Sequence, residues 1–268
     1  LMRRDGVGDS REEALTYLEA TVGEPGRATS RERKEAFVDG VHDFVTTAEK
    51  YGMVFTRAAE YPDYYPELPG GKVGRAIEVE PVDTRKAGPW WSTLRTAEGA
   101  PATAMPVKTD DVWLLQRAWS TPAGFVRGAE LVLRVLGSVV RGQKLAGIGA
   151  GLAVSFLHAV VGKLKVPLWL DAPLESLVVE DGRVTGVRIR RDGREVTVGA
   201  NRGVMLAGGG FDHNTEWRRK HHGIDGAPSG NPGNLGRPIT IAQEAGAAVE
   251  LMDDAWWGAS VAGPAGQS

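Results

Sequence analysis

The chain has 268 residues, 42% hydrophobic and 25% charged, with 32 basic against 34 acidic side chains and a net charge of −2. This is the composition of a folded protein with a sizeable core, in one large or two modest domains. The balanced charge excludes a general electrostatic pull towards nucleic acid or an anionic membrane. Because there is no cysteine, disulfides, thiolate catalysis and cysteine–zinc sites are excluded, and a cytoplasmic, reducing setting is expected. Nothing near Leu1 resembles a signal peptide, and both Leu1 and the loop-like stretch 263–268 read as cuts in a longer sequence.

In chain order, Ser10 with Glu13 three positions on predicts a capping box and a helix to about Val22, ended by Gly23. A second helix follows Ser30, its apolar stripe being Ala36, Phe37, Val41, Phe44 and Val45, and Met53–Phe55 reads as a short strand. Residues 59–108 carry seven prolines and clustered aromatics (Tyr61, Tyr64, Tyr65, Trp90, Trp91), which predicts a long ordered loop or an excursion into another domain. Helix returns over 110–141, broken near Thr121-Pro122.

Leu145 to Gly162 runs eighteen residues without a charge. A membrane span needs about 20 consistently apolar residues, whereas this stretch holds four glycines, Ser155 and His158. It reads as a helix over 148–164 packed closely through small residues, not as a transmembrane segment. Its Gly147-Ile148-Gly149-Ala150-Gly151 resembles a dinucleotide fingerprint only superficially, because charged and polar sequence precedes it where a strand is required.

Strands follow at 166–170, 174–179, 184–189 and 195–198, with Asp181-Gly182 and Asp192-Gly193 as hairpin turns. A last strand, 203–206, runs into Ala207-Gly208-Gly209-Gly210, and beyond lie a short helix at 239–246 and a strand at 249–252. Glycines after a strand let a ligand approach the main chain without meeting a Cβ, and dinucleotides lie at the carboxyl ends of strands in open α/β sheets. On these residues alone, a plain glycine turn fits equally well.

The order of these motifs resembles the flavin domain of the fumarate reductase and 3-ketosteroid Δ1-dehydrogenase family. The resemblance rests on Ala172 to Val187 with its Glu180-Asp181-Gly182-Arg183 turn, on Ala207 to Phe211, on Asp212 to Glu216, on Gly233-Asn234-Leu235-Gly236-Arg237-Pro238-Ile239 and on Leu251 to Trp257. It covers essentially the whole chain and is strongest from 166 to 258. It implies an α/β, Rossmann-like FAD-binding domain with a β-meander, lacking its first βαβ unit. Residues 1–230 would be that partial domain, with the aromatic loop inserted at about 59–108, and 231–268 the beginning of a substrate domain. The missing phosphate fingerprint would lie upstream of Leu1.

By the same resemblance, backbone around Leu174 would meet the adenine. Ala207, Gly208 and Gly209 would line the pyrophosphate and ribose, and Asn234 with Gly236 would approach the flavin half. Leu235 stands where the family has threonine, and Arg237-Pro238 where it has Asp-Gly. The loop therefore loses a hydroxyl, is stiffened at Pro238, and gains a cation able to reach a phosphate.

Tyr61-Pro62-Asp63-Tyr64-Tyr65 reads on its own as loop packing. The Δ1-dehydrogenase branch carries Pro-Asp-Tyr-Tyr here, which implies that Tyr64 faces the ketone ring of a small, apolar, steroid-like substrate. Oxidation beside a ketone needs a base for the α-proton and an acceptor for the hydride. A phenol with a pKa near 10 serves as base only if its phenolate is stabilised by a neighbour. The expected activity is 1,2-dehydrogenation of a 3-ketosteroid or similar cyclic ketone. A fumarate-reductase-like enzyme acting on an unsaturated acid, or an inactive truncated fragment, is the alternative. His213, His221 and His222 lack carboxylate partners at ligand spacing, so no metal site is expected. Asp253-Asp254 reads as a turn. Trp90-Trp91 and Trp256-Trp257 fit a cover for a flat substrate or ordinary core.

Overall fold

The computed structural model describes residues 1–2, 4–95, 101–225, 228 and 230–257; the stretch 263–268 lies outside them. The chain divides into two compact units, one of Leu1–Leu94 with Pro101–Pro167 and one of Arg95–Ala100 with Leu168–Ser268.

The first unit opens with α1 (Arg11–Thr21) and α2 (Arg31–Lys50). Ser10 caps α1 by accepting from the Glu13 N–H. The reciprocal half of the expected capping box is not made: the Ser10 N–H donates to Asp9, and Glu13 pairs with Lys72 at 2.9 Å. A full charge across the loop competes successfully with a backbone N–H. Chain reversal after α1 uses Gly23 at φ 61°. Three of the apolar positions expected to bury α2, Phe37, Val41 and Phe44, are instead exposed. The core lies at the end of α2, where Ala48, Met53, Phe55, Val79 and Ala159 pack with Val45 and Tyr51.

The proline-rich stretch is ordered by short pairings. β1 (Phe55–Arg57) pairs antiparallel with β2 (Ile77–Val79), and β3 (Val82–Asp83) with β4 (Leu145–Ala146). A 3-10 segment, Thr84–Thr93, follows β3. The expected break in the next helical stretch is present, between α3 (Thr109–Leu115) and α4 (Pro122–Val140), with Thr121 capping α4 through the Gly124 N–H.

The glycine-rich segment forms α5 (Ile148–Phe156), continued by a π-helical turn, Leu157–Lys163. Among the described residues no helix is long and apolar enough to cross a membrane. A short strand, β4, does precede Gly147, contrary to the expectation from sequence, but its ladder is antiparallel. The small residues serve close packing. A Cβ at Gly147 would sit 1.9 Å from the Val107 carbonyl oxygen, and one at Gly151 would meet the Ala146 carbonyl and the Val79 side chain.

In the second unit the meander is as expected: β5 (Leu174–Glu180), β6 (Arg183–Arg191) and β7 (Arg194–Gly199) form one antiparallel sheet in that order. Both turns place Asp and Gly at positive φ, 50° and 74° at Asp181-Gly182 and 50° and 73° at Asp192-Gly193, as a two-residue hairpin matched to strand twist requires. Two short helices follow, α6 (Thr215–His222) and α7 (Arg237–Glu244), and α7 lies against β5 with Ile241 buried.

The segments 166–170, 203–206 and 249–252, expected as strands, are not in a ladder. A strand needs a ladder of a partner's N–H and C=O groups, and among the described residues none of the three segments is paired in one. Met205, in the middle of one, is 91% exposed.

Two measurements test this packing. Gly147→Ala should destabilise by about 1–3 kcal/mol through overpacking, whereas Gly149→Ala, where a Cβ meets nothing within 4 Å, should be neutral or stabilise by up to about 1 kcal/mol. Equal effects of the two in denaturant unfolding would contradict the close approach. His158 titrates below the ordinary histidine range because burial disfavours its charged form and Lys86 and Lys163 repel it. The unfolded chain therefore takes up this proton first. Stability from neutral His158 is present above about pH 6.5 and lost as pH falls through the lower folded value. His158→Gln should flatten the unfolding free energy across that window.

Candidate cofactor and active site

The tyrosine loop belongs to the first unit and is fixed at both ends. At its entry, the buried Asp110, in the first turn of α3, accepts from the Ala59 and Glu60 N–H groups at 2.9 and 3.1 Å. Across it, Pro62 bridges Val73, Asp63 N–H donates to the Lys72 carbonyl, and Lys72 N–H donates to Asp63 Oδ2. Arg75 closes the loop with its whole fork: Nη1 to Asp63 at 2.7 Å, Nε and Nη2 to Asp9 at 3.1 Å each, and Nη2 to the Gly70 carbonyl at 2.8 Å. The same guanidinium lies 5.6 Å over the Tyr17 ring, and the Tyr17 hydroxyl accepts from the Tyr65 N–H at 3.0 Å. Gly70, at φ 78°, brings the loop onto α1, where a Cβ would stand 2.3 Å from the Glu13 carbonyl. Between these anchors the Tyr64 side chain is 63% exposed, tilted against Tyr65 at 6.4 Å.

The glycine segment belongs to the second unit. Ala207, Gly208, Gly209 and Gly210 are exposed on one side and packed on the other by the loop 230–238. A Cβ at Gly208 would meet the Pro238 ring at 2.5 Å, and one at Gly209, with φ 85°, would meet Asn234 Oδ1 at 2.3 Å. Gly236 N–H donates to the Gly210 carbonyl, His213 N–H to the Asn234 carbonyl, and Asn214 Nδ2 to the Leu235 carbonyl. Gly236, at φ 81°, stands where a Cβ would be 2.8 Å from the Trp217 ring. Two of the glycines are thus spent on close packing of protein against protein; of the residues expected at the two halves of a dinucleotide, Gly209 meets Asn234, and Gly236 is bonded to Gly210, the glycine next to them. At Gly210 a Cβ would meet only Asp212 Oδ1, at 3.9 Å. The main chain of this ridge is exposed on its other side.

Leu174 begins β5 opposite Ile189. Arg237 reaches the next residue, donating to the Glu175 carbonyl at 3.0 Å, and lies 3.7 Å from Glu244; its fork is directed at protein. Pro238 fits because its ring occupies the space that a side chain at position 208 would need. Leu235 is half exposed.

His213 Nε2 is bonded to the Gly230 carbonyl at 2.8 Å, and His222 stacks on Phe211 at 5.2 Å with Trp257 at 5.1 Å on its edge. Asp253-Asp254 lies in a turn closed by the Asp254 N–H to the Leu251 carbonyl. Trp90 and Trp91 are partly buried, while Trp256 is 97% exposed. Sequence reasoning missed Asp9, Arg75 and Asp110. Asp9 and Arg75 are 66 residues apart, and Asp110 stands 51 from Ala59, so no local pattern could have joined them.

A family model described as FAD binding domain matches residues 1–265. The chain is 34% identical over 271 residues to a 3-oxosteroid 1-dehydrogenase of Mycolicibacterium smegmatis, covering 97% of this chain and 47% of that protein. It is also 34% identical over 272 residues to a 3-oxosteroid 1-dehydrogenase of Mycobacterium tuberculosis, with the same coverage. Among solved structures it is similar to 3-ketosteroid delta1-dehydrogenase from Sterolibacterium denitrificans, crystallised in complex with 1,4-androstadiene-3,17-dione. That likeness has a TM-score of 0.81 and 28% identity, over 97% of this chain and 48% of the other. The chain spans about half the length of these relatives. The glycine ridge and meander are thus parts of a flavoprotein fold, and the chain belongs to the FAD binding domain family.

Proposed function

We propose that this chain is the cofactor-side portion of an FAD-dependent oxidoreductase that dehydrogenates a 3-ketosteroid, or a similar cyclic ketone, at its 1,2 bond. The observation that carries the reading is the 34% identity over 97% of the chain to a protein named 3-oxosteroid 1-dehydrogenase. The pinned loop presenting Tyr64 gives it a chemical basis. Ala207, Gly208 and Gly209 line the pyrophosphate and ribose on the open side of their ridge, Asn234 and Gly236 approach the flavin half, and backbone at Leu174 meets the adenine. Residues 1–230 form the partial cofactor domain, and 231–268 lead into the substrate domain. A βαβ unit outside this chain completes the sheet; the exposure of Met205, in a segment that is in no ladder among the described residues, supports this. The cysteine-free composition supports a cytoplasmic setting.

FAD, when bound, supplies the hydride acceptor at its N5. The contribution of this chain is at the proton. Tyr64 places a phenol hydroxyl where it hydrogen-bonds to a second tyrosine, outside this chain, and stabilises that partner's phenolate as it takes the α-proton. The ketone-polarising groups also lie outside, so the 268-residue segment alone is inactive. The fumarate-reductase-like reading needs cations free to bind carboxylates, whereas Lys72 and Arg75 in the tyrosine loop are engaged with Glu13, Asp9 and Asp63.

The full-length holoenzyme, given a 3-ketosteroid and an artificial electron acceptor, should yield a product lighter by two hydrogens, with the new double bond at the 1,2 position. Tyr64→Phe should slow turnover by about ten- to a hundredfold, the worth of one hydrogen bond to a charged group, with flavin content unchanged. Product of unaltered mass would remove the ketosteroid reading, and unchanged turnover in Tyr64→Phe would remove Tyr64 from the chemistry.

A further inference from the structure

We infer that Arg75, acting through Asp63, is a positioning residue for Tyr64; the inference rests on the reading of Tyr64 given above. Arg75 uses three nitrogens on three partners from separate stretches of chain: the Asp9 carboxylate before α1, the Asp63 carboxylate beside Tyr64, and the Gly70 carbonyl at the far side of the loop. The three charged side chains are largely buried, with 19% exposure at Arg75, 16% at Asp9 and 12% at Asp63. Such a group is costly unless its geometry is good. Asp63 also accepts from the Lys72 N–H at 2.9 Å, so one carboxylate joins the Arg75 fork to the returning strand of the loop.

The consequence falls on a single residue. The position before Tyr64 is held by its side chain and the position after it by its backbone, through Tyr65 N–H to the Tyr17 hydroxyl beneath the same guanidinium. Neither anchor touches the Tyr64 ring, which stays 63% exposed. The loop is therefore rigid in its main chain at residues 63 and 65 while leaving the phenol available. Arg75 is at a distance from the reacting atoms and acts on where the Tyr64 hydroxyl stands. Displacing a reacting group by about 1 Å costs up to a hundredfold in rate.

Lysine keeps the charge but has no fork, so it leaves one of the three contacts unmade at any time. The test uses the full-length holoenzyme and the anaerobic rate of flavin reduction by a 3-ketosteroid, in wild type, Arg75→Lys, Tyr64→Phe and the double variant. Arg75→Lys should slow reduction by about tenfold at saturating steroid, with flavin content unchanged and the unfolding temperature lowered by only a few degrees, about the worth of one lost hydrogen bond. The double variant should be no slower than Tyr64→Phe, because a residue acting through Tyr64 has nothing further to lose once the hydroxyl is gone. A tenfold loss repeated in the Tyr64→Phe background, or no loss in Arg75→Lys, overturns the positioning role and leaves the Tyr64 reading intact. An unchanged rate in Tyr64→Phe alone overturns that reading and this inference with it. Should Arg75→Lys not fold, Asp63→Asn keeps the shape and removes the charge, and the same non-additivity is expected of it.

Discussion

Three charged side chains hold the amino-terminal unit's most irregular stretch in one conformation. Arg75 sits between Asp9 and Asp63 with hydrogen bonds of 2.7–3.1 Å. Around them a proline-rich sequence with little regular structure is tied down by side-chain and backbone hydrogen bonds. Gly70 is pressed on α1 and Tyr17 is roofed by the guanidinium, while Asp110 takes up the N–H groups of Ala59 and Glu60 at the loop entry. Lys72, paired with Glu13, adds a second cation to the three carboxylates. What the loop then presents is a pair of exposed tyrosines, Tyr64 and Tyr65, on backbone with fixed neighbours.

The carboxyl-terminal unit uses a different device. Its ridge of glycines is approached from one side by Asn234, Pro238 and Gly236, so closely that a methyl group at 208, 209 or 236 would collide with side-chain atoms. The other side stays open. Absence of side chains thus allows the loop 230–238 to close on the ridge and leaves its main chain exposed on the other side. Both devices place chemistry on backbone whose position is over-determined, and neither depends on a regular element at the point of contact.

Much of this was legible in sequence where the signal is local. The Asp-Gly turns at 181–182 and 192–193 encoded their hairpins because positive φ at consecutive residues is a property of those residues. Thr121-Pro122 marked a helix start because a hydroxyl cap and a proline in the first turn are also local signals, and the ordered motifs from Ala172 to Pro238 were enough to suggest a flavin domain. Elements defined by distant partners were not legible. Residues 203–206 have strand composition but are paired in no ladder among the described residues, and α2 has an apolar stripe whose Phe37 and Phe44 remain exposed. The capping box at Ser10 was half right, since Glu13 found a lysine 59 positions away more favourable than its own helix end. The clasp on the tyrosine loop went unseen because Asp9, Asp63 and Arg75 carry no spacing that links them.

The proposed function requires that the full-length protein hold FAD and pass electrons to it from a ketosteroid. The most direct measurement is the visible absorption spectrum of the purified full-length protein, taken anaerobically before and after addition of a 3-ketosteroid. Flavin bands should be present and should bleach on addition. Flavin bands that stay oxidised would contradict the substrate, and a colourless protein would contradict the cofactor.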